Sequence, residues 1–130
     1  MARSPFPLDR TCSYLMDSFS AALAARVVGV PARIAGTAQW TEQEGNHTWV
    51  EVWDNGWHFL GAAEAGELDQ TWFNDRARVA DPSRRETRIY ATSFKPAGDS
   101  FPMVWDRRNE TVPALNVTAR YRALPPGRTG

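Results

Sequence analysis

The chain contains the residue types needed for thiol chemistry, with one cysteine, Cys12, and two histidines. Both histidines lie in the stretch GNHTWVEVWDNGWHFLGAAE, which runs from Gly45 to Glu64. A cysteine paired with an imidazole, and an acid that orients that imidazole, is the arrangement of an activated nucleophile for acyl transfer. Cys12, His47 and Glu64 are therefore the candidate catalytic residues.

The stretch from 45 to 64 predicts a β-hairpin, because HTWVEVW is rich in aromatic and β-branched residues and Asn55-Gly56 favours a tight turn. Side chains alternate between the two faces of a strand. A two-residue turn at Asn55-Gly56 places His47 opposite Glu64, so that a carboxylate lies beside the imidazole. A three-residue turn places His47 opposite Ala63 instead.

A helix over about residues 12–28 is predicted to position the cysteine. Thr11 suits the N-cap, while Gly29 and Pro31 end the helix. Amides of the first turn and the helix dipole favour a thiolate at Cys12. The apolar positions that follow helical spacing are Leu15, Phe19, Ala22, Leu23 and Val27. Cys12 lies on the same apolar side, which would pack on the sheet.

The rest of the chain predicts strands and short helices. Residues 33–40, 47–53, 57–63 and 86–94 read as strands, and 71–80 contains a short helix. VPALNVTARY is predicted to form a short extension of the sheet. One helix followed by several antiparallel strands is an α+β pattern. We expect a lead-in over 1–10, one domain over 11–122 and a flexible tail over 123–130.

Structural interpretations of the same residues remain open. A lone cysteine is often a small core residue, and His47 would then only cap the edge of a sheet. The tryptophans of the hairpin form either ordinary core or a stacking surface for a ligand. His58 faces away from the side of His47, so it is structural or exposed. No spacing typical of a metal site is present.

The amino-acid composition limits the kinds of partner that the chain is expected to bind. Net charge is zero and no long basic run occurs, which gives nucleic acid and anionic membranes little support. No apolar run approaches the roughly 20 residues of a membrane span. The start MARSPFPLDR lacks the apolar core of a signal peptide. Localisation therefore stays open, with a fragment of an exported protein as one possibility, and the oligomeric state is not determined.

Three segments, GVPARIAG, GNHTWVEVW and NGWHFLGAAE, resemble the transglutaminase-like superfamily of papain-like cysteine enzymes. The resemblance covers roughly residues 11–94. It implies a papain-like core in which an N-terminal helix packs on an antiparallel sheet. It also implies that His47 is the catalytic histidine and that Cys12 is the nucleophile. Without any cofactor, such an enzyme acts on amide bonds of a protein or peptide substrate, and its bacterial relatives favour peptidase-type hydrolysis over cross-linking.

The sequence departs from the family pattern in three places. The usual interval from the cysteine to Pro31 falls on Tyr14, two residues after Cys12. Gly61 stands where relatives have the catalytic aspartate, and Glu64 is the nearest acid that could replace it. Only eleven residues precede Cys12, and none is a Trp or Gln that could serve the oxyanion hole.

These departures favour an alternative function. The same fold would serve as an inactive binding module for a peptide or a cell-wall glycan. Trp40 and Trp49 are the candidate substrate-binding residues, and in the binding module Trp49, Trp53 and nearby aromatic residues would hold the ligand.

Overall fold

The computed structural model describes residues 22, 24–60, 68–103, 106 and 108–125. In this part of the chain six strands form one sheet in the order β3-β2-β1-β4-β6-β5, and every pairing is antiparallel. The strands are β1 (Ala32–Thr37), β2 (His47–Trp53), β3 (Trp57–Leu60), β4 (Ile89–Thr92), β5 (Asp99–Ser100) and β6 (Pro113–Asn116). With the helices α1 (Asn74–Arg78) and α2 (Thr118–Arg122) and a 3-10 turn (Arg85–Thr87), the fold is α+β, as expected.

The hairpin has its predicted first strand and its predicted turn at Asp54-Asn55-Gly56, and the structure decides between the two registers that were left open. β2 has the predicted bounds, and Trp53 pairs with Trp57 across a turn of three residues, Asp54, Asn55 and Gly56. Asn55 (φ 54°) and Gly56 (φ 146°) both have positive φ, which these residue types tolerate. The two-residue alternative is therefore excluded, and the register expected for a three-residue turn is the one observed.

The predicted N-terminal helix is described only near its end. Residues 22 and 24–27 are helical, and the rest of the predicted span lies outside the described residues. The end follows the prediction, because Gly29 has φ 87° and the amides of Gly29 and Val30 donate to the carbonyls of Arg26 and Ala25. Val27 was assigned wrongly to the apolar side, since it is 85% exposed.

The other elements are shorter than predicted. β1 stops at Thr37 rather than residue 40, because the chain bends at 38–39 and the Trp40 amide closes a loop by donating to the Gly45 carbonyl. The short helix within 71–80 and the strand within 86–94 are confirmed as α1 and β4. VPALNVTARY forms β6 and then turns into α2, where Asn116 Oδ1 accepts hydrogen bonds from the backbone and hydroxyl of Thr118.

The sheet has two buried faces. The face that carries His47, here called the His47 face, also carries Ala35, Trp49, Glu51 and Phe59 because directly paired residues share a face. Helices α1 and α2 cover it with Phe73, Ala77 and Tyr121. The opposite face carries Ala32, Ile34, Val50 and Val52. Ala22 and Ala25 of the N-terminal helix pack there against Ala32, Val50 and Val52.

A buried carboxylate organises the His47 face. Glu51 has no exposed surface, and its Oε1 accepts a hydrogen bond of 2.7 Å from Arg33 Nε. Its Oε2 accepts from the Tyr121 hydroxyl at 2.6 Å and from Arg120 Nη2 at 3.1 Å. The Trp49 indole N–H donates to the same hydroxyl at 2.7 Å. Two motif residues, the Arg of GVPAR and the Glu of HTWVEVW, are thus joined in one network.

In the described part of the chain, no helix is long enough and apolar enough to cross a bilayer.

The network predicts a stability cost for Tyr121→Phe. Removal of the hydroxyl leaves the Trp49 indole N–H without its acceptor and takes one donor from the Glu51 carboxylate. A buried group deprived of its partner costs about 1–3 kcal/mol, so the urea midpoint of unfolding should fall. Tyr90→Phe is the matched control, because Tyr90 is also buried and, within the described part of the chain, its hydroxyl accepts a longer hydrogen bond of 3.5 Å from Arg88. Equal losses in the two variants would contradict this role of Tyr121.

Candidate functional site

His47 is the first residue of β2 and is buried, with 7% of its surface exposed. Four aromatic rings surround its imidazole. The centroid distances are 5.0 Å to Trp72, 5.1 Å to Phe73, 5.9 Å to Trp49 and 6.4 Å to Trp40. The predicted histidine therefore lies in an aromatic enclosure on the His47 face.

The enclosure determines the charge of the imidazole. Burial, followed by the nearby Arg76 cation, lowers the pKa of His47 from 6.5 to about 4. His47 is therefore neutral near pH 7. A neutral imidazole can accept a proton, which is what a general base requires.

A glycine on the neighbouring strand allows this position of His47. A Cβ added to Gly36 would lie 2.8 Å from the His47 carbonyl oxygen, which is closer than side chains tolerate. Gly36 pairs with Thr48, so the close approach is between the backbones of β1 and β2. Gly36, the last residue of the motif GVPARIAG, is thus needed because two backbones approach closely at this position.

The other predicted site residues are only partly accounted for. Cys12 and Glu64 lie outside the described residues, and so does Gly61, so their roles stay predictions. The observed hairpin register is the one that was expected to place Ala63, rather than Glu64, opposite His47. Trp40 and Trp49 are 3% and 0% exposed and stack on each other at 6.2 Å. Their burial favours the interpretation as core.

A histidine–aspartate pair was missed by the sequence analysis. His58 pairs with Val52 and so faces away from His47, as predicted. Its Nδ1 lies 2.6 Å from Asp69 Oδ2, and its Nε2 lies 3.0 Å from the Asp54 carbonyl oxygen. Asp69 Oδ1 also accepts the backbone N–H of Phe59. Asp69 lies in a turn after β3 and has a positive φ of 63°. The pairing of the strands therefore gave no indication that Asp69 would contact His58.

The geometry of His58 favours the charged imidazolium. Both ring nitrogens face oxygen acceptors, and an imidazole donates from both nitrogens only when it is doubly protonated. The hydrogen bond to Asp69, followed by that to the Asp54 carbonyl, raises the pKa of His58. The pKa values of the two histidines of the hairpin are therefore shifted in opposite directions.

Within the described residues, no three His, Cys, Asp or Glu side chains cluster so as to hold a metal ion.

The lowered pKa of His47 predicts a loss of stability in acid. The unfolded chain takes up a proton near pH 6.5 and the folded chain only near pH 4, so the stability falls as pH drops through this window. The full difference is about 3 kcal/mol. Urea unfolding of the wild type and of His47→Phe, which retains a ring but does not titrate, should show that the variant loses less stability between these pH values. Parallel pH profiles would contradict the buried neutral histidine.

The raised pKa of His58 predicts the opposite dependence. The stabilisation by a raised pKa is complete below the unfolded pKa and is lost as pH rises through the folded pKa. Asp69→Asn removes the carboxylate, so the pKa of His58 measured by NMR should fall while that of His47 stays where it is. Asp75→Asn, a change of an acid on helix α1, is the control and should leave the pKa of His58 unchanged.

Comparison with known proteins gives one match. Residues 11–62 match the family model of the transglutaminase-like superfamily. Neither the curated proteins nor the solved structures gave a significant match. The resemblance predicted from the motifs is thus confirmed from the start of the predicted helix to the second strand of the hairpin. The matching segment, residues 11–62, contains both Cys12 and His47.

Proposed function

We propose that the domain is a thiol acyl transferase acting on amide bonds, with a papain-like core, Cys12 as the nucleophile and His47 as the general base. The observation that carries this proposal is the state of His47. It is a neutral imidazole on the first residue of β2, within the segment that matches a family of cysteine enzymes. A protein or peptide supplies the amide.

The reaction follows from these two groups. His47 accepts the thiol proton of Cys12 as the sulfur attacks the carbonyl carbon, and the tetrahedral adduct then collapses as the C–N bond breaks. The imidazolium returns the proton to the leaving amine. Water, rather than a second amine, is proposed to resolve the thioester, because the resemblance to the superfamily implies peptidase-type hydrolysis.

The lowered pKa of His47 bears on the step of the reaction at which it accepts the thiol proton of Cys12. A resting thiolate–imidazolium pair needs a charged ring, whereas burial among aromatic rings lowers the pKa of His47 to about 4. The proposed mechanism therefore transfers the proton during attack rather than before it. Glu64 is proposed to orient the ring, although the hairpin register no longer argues for that contact.

A second candidate function is an inactive binding module for a peptide or a cell-wall glycan. The observation that favours it is the position of the helix end, which packs against Val50 and Val52 on the face opposite to His47. A helix that stays on that side of the sheet would hold its cysteine away from the imidazole. Trp40 and Trp49 are too buried to contact such a ligand without a rearrangement.

Iodoacetamide labelling of Cys12 separates the two functions. An assisted thiol should react quickly near neutral pH, and His47→Ala should slow that reaction because the proton acceptor is lost. An ordinary thiol, with a pKa of about 8.5, reacts appreciably only in more alkaline solution. His58→Ala is the matched control and should leave the labelling rate unchanged.

Wild-type labelling that resembles an ordinary thiol would exclude the enzyme and leave the binding module. In that case Cys12→Ala should still bind a peptide or peptidoglycan fragment, detected as a change of tryptophan fluorescence. Glu64→Gln tests the orienting acid. An unchanged pH profile of labelling in this variant would remove Glu64 from the mechanism.

A further inference from the structure

Trp72 differs from the other rings around His47. Trp40, Trp49 and Phe73 are all at most 3% exposed and belong to the core, whereas Trp72 is 52% exposed. Its ring is also the nearest of the four, at 5.0 Å from the imidazole. Among these four rings, Trp72 therefore separates His47 from solvent.

The ring of Trp72 is held by contacts that are weak individually. Its neighbour Phe73 lies edge-on at 5.5 Å, and the Arg76 guanidinium lies 4.9 Å from the centroid of the indole. Such a cation–π contact at an exposed site contributes about 0.5–1 kcal/mol. Because Phe73 is fully buried, rotation of Trp72 would move one ring and leave the core packing in place.

Arg76 connects the ring with a small cavity. The cavity has a volume of about 110 Å³ and is lined by Arg76, Trp40 and Val79 together with the polar side chains of Glu42, Gln43 and Asp75. Trp40 also contacts His47, so the cavity borders the aromatic enclosure from the side of Arg76.

We propose that Trp72, held by Arg76, is the gate of the His47 site and the wall that selects its substrate. When the indole turns outward, the imidazole becomes accessible and a flat space opens beneath the guanidinium. An acyl donor with an aromatic side chain beside its amide fits that space, because its ring can take over the cation–π contact with Arg76. This proposal rests on the proposed function for the reaction, but the gate itself can be tested without turnover.

Modification with diethyl pyrocarbonate tests the gate in the full chain without substrate. The reagent reacts with neutral imidazoles, so access limits its reaction with His47. Trp72→Ala should increase the rate at His47 several-fold, and the pKa of His47 measured by NMR should rise from about 4 toward 6.5 as water reaches the ring. Trp72→Phe keeps a ring and should give a smaller increase.

Trp53→Ala is the control, because Trp53 is also about half exposed, at 48%, but lies at the other end of β2. It should leave both the rate and the pKa of His47 unchanged. An unchanged rate and pKa in Trp72→Ala, or an equal change in Trp53→Ala, would overturn the gate.

The labelling of Cys12 separates the failure of the gate from the failure of the enzyme. Faster modification of His47 in Trp72→Ala, with Cys12 behaving as an ordinary thiol, would retain the gate and reject the acyl transfer. If Cys12 is activated, Trp72→Ala should lower KM for a peptide with an aromatic side chain beside the amide more than for one with alanine there, because the indole no longer competes for Arg76. Equal KM changes for the two peptides would overturn the role in selection.

Discussion

The buried carboxylate of Glu51 is the interaction on which the His47 face depends. It lies in the central part of β2 and binds Arg33 of β1 and Arg120 and Tyr121 of α2. A buried charge without partners is expensive, so these elements assemble together or leave the carboxylate unsatisfied. Burial and the adjacent Glu51 charge raise the pKa of Tyr121, which keeps its hydroxyl protonated and able to donate. Helix α2 is thereby fixed over the sheet, and Trp49 is held beside His47.

The two histidines show how one hairpin creates two environments. His47 and His58 face opposite sides of the same sheet, so one enters an aromatic enclosure and the other reaches a carboxylate. The resulting pKa shifts have opposite signs. A histidine whose pKa is lowered and one whose pKa is raised therefore lie on adjacent strands of one hairpin.

The sequence predicted correctly those elements whose formation depends on residues that lie close together in the chain. β2, the helix end at Gly29 and the short helix α1 follow from alternation, glycine at positive φ and composition. The hairpin register was not determined by Asn55-Gly56, because Asp54 joins the turn and shifts every opposite pair by one residue. The pairing of His58 with Asp69 joins residues that are 11 positions apart, and no local pattern indicates that contact. The same holds for Trp72 over His47, which is a contact between distant parts of the chain.

Among the strands that the structure describes, β3 is an outer one, and the side of an outer strand can template the addition of a foreign strand. Asp69 occupies part of that side. Its amide donates to the Phe59 carbonyl, and its carboxylate accepts the Phe59 amide, so a single residue satisfies both backbone groups. The charge of Asp69 and its left-handed backbone also oppose any regular continuation of the sheet. Asp69 thus hinders a second copy of the chain from adding a strand at this edge of the sheet.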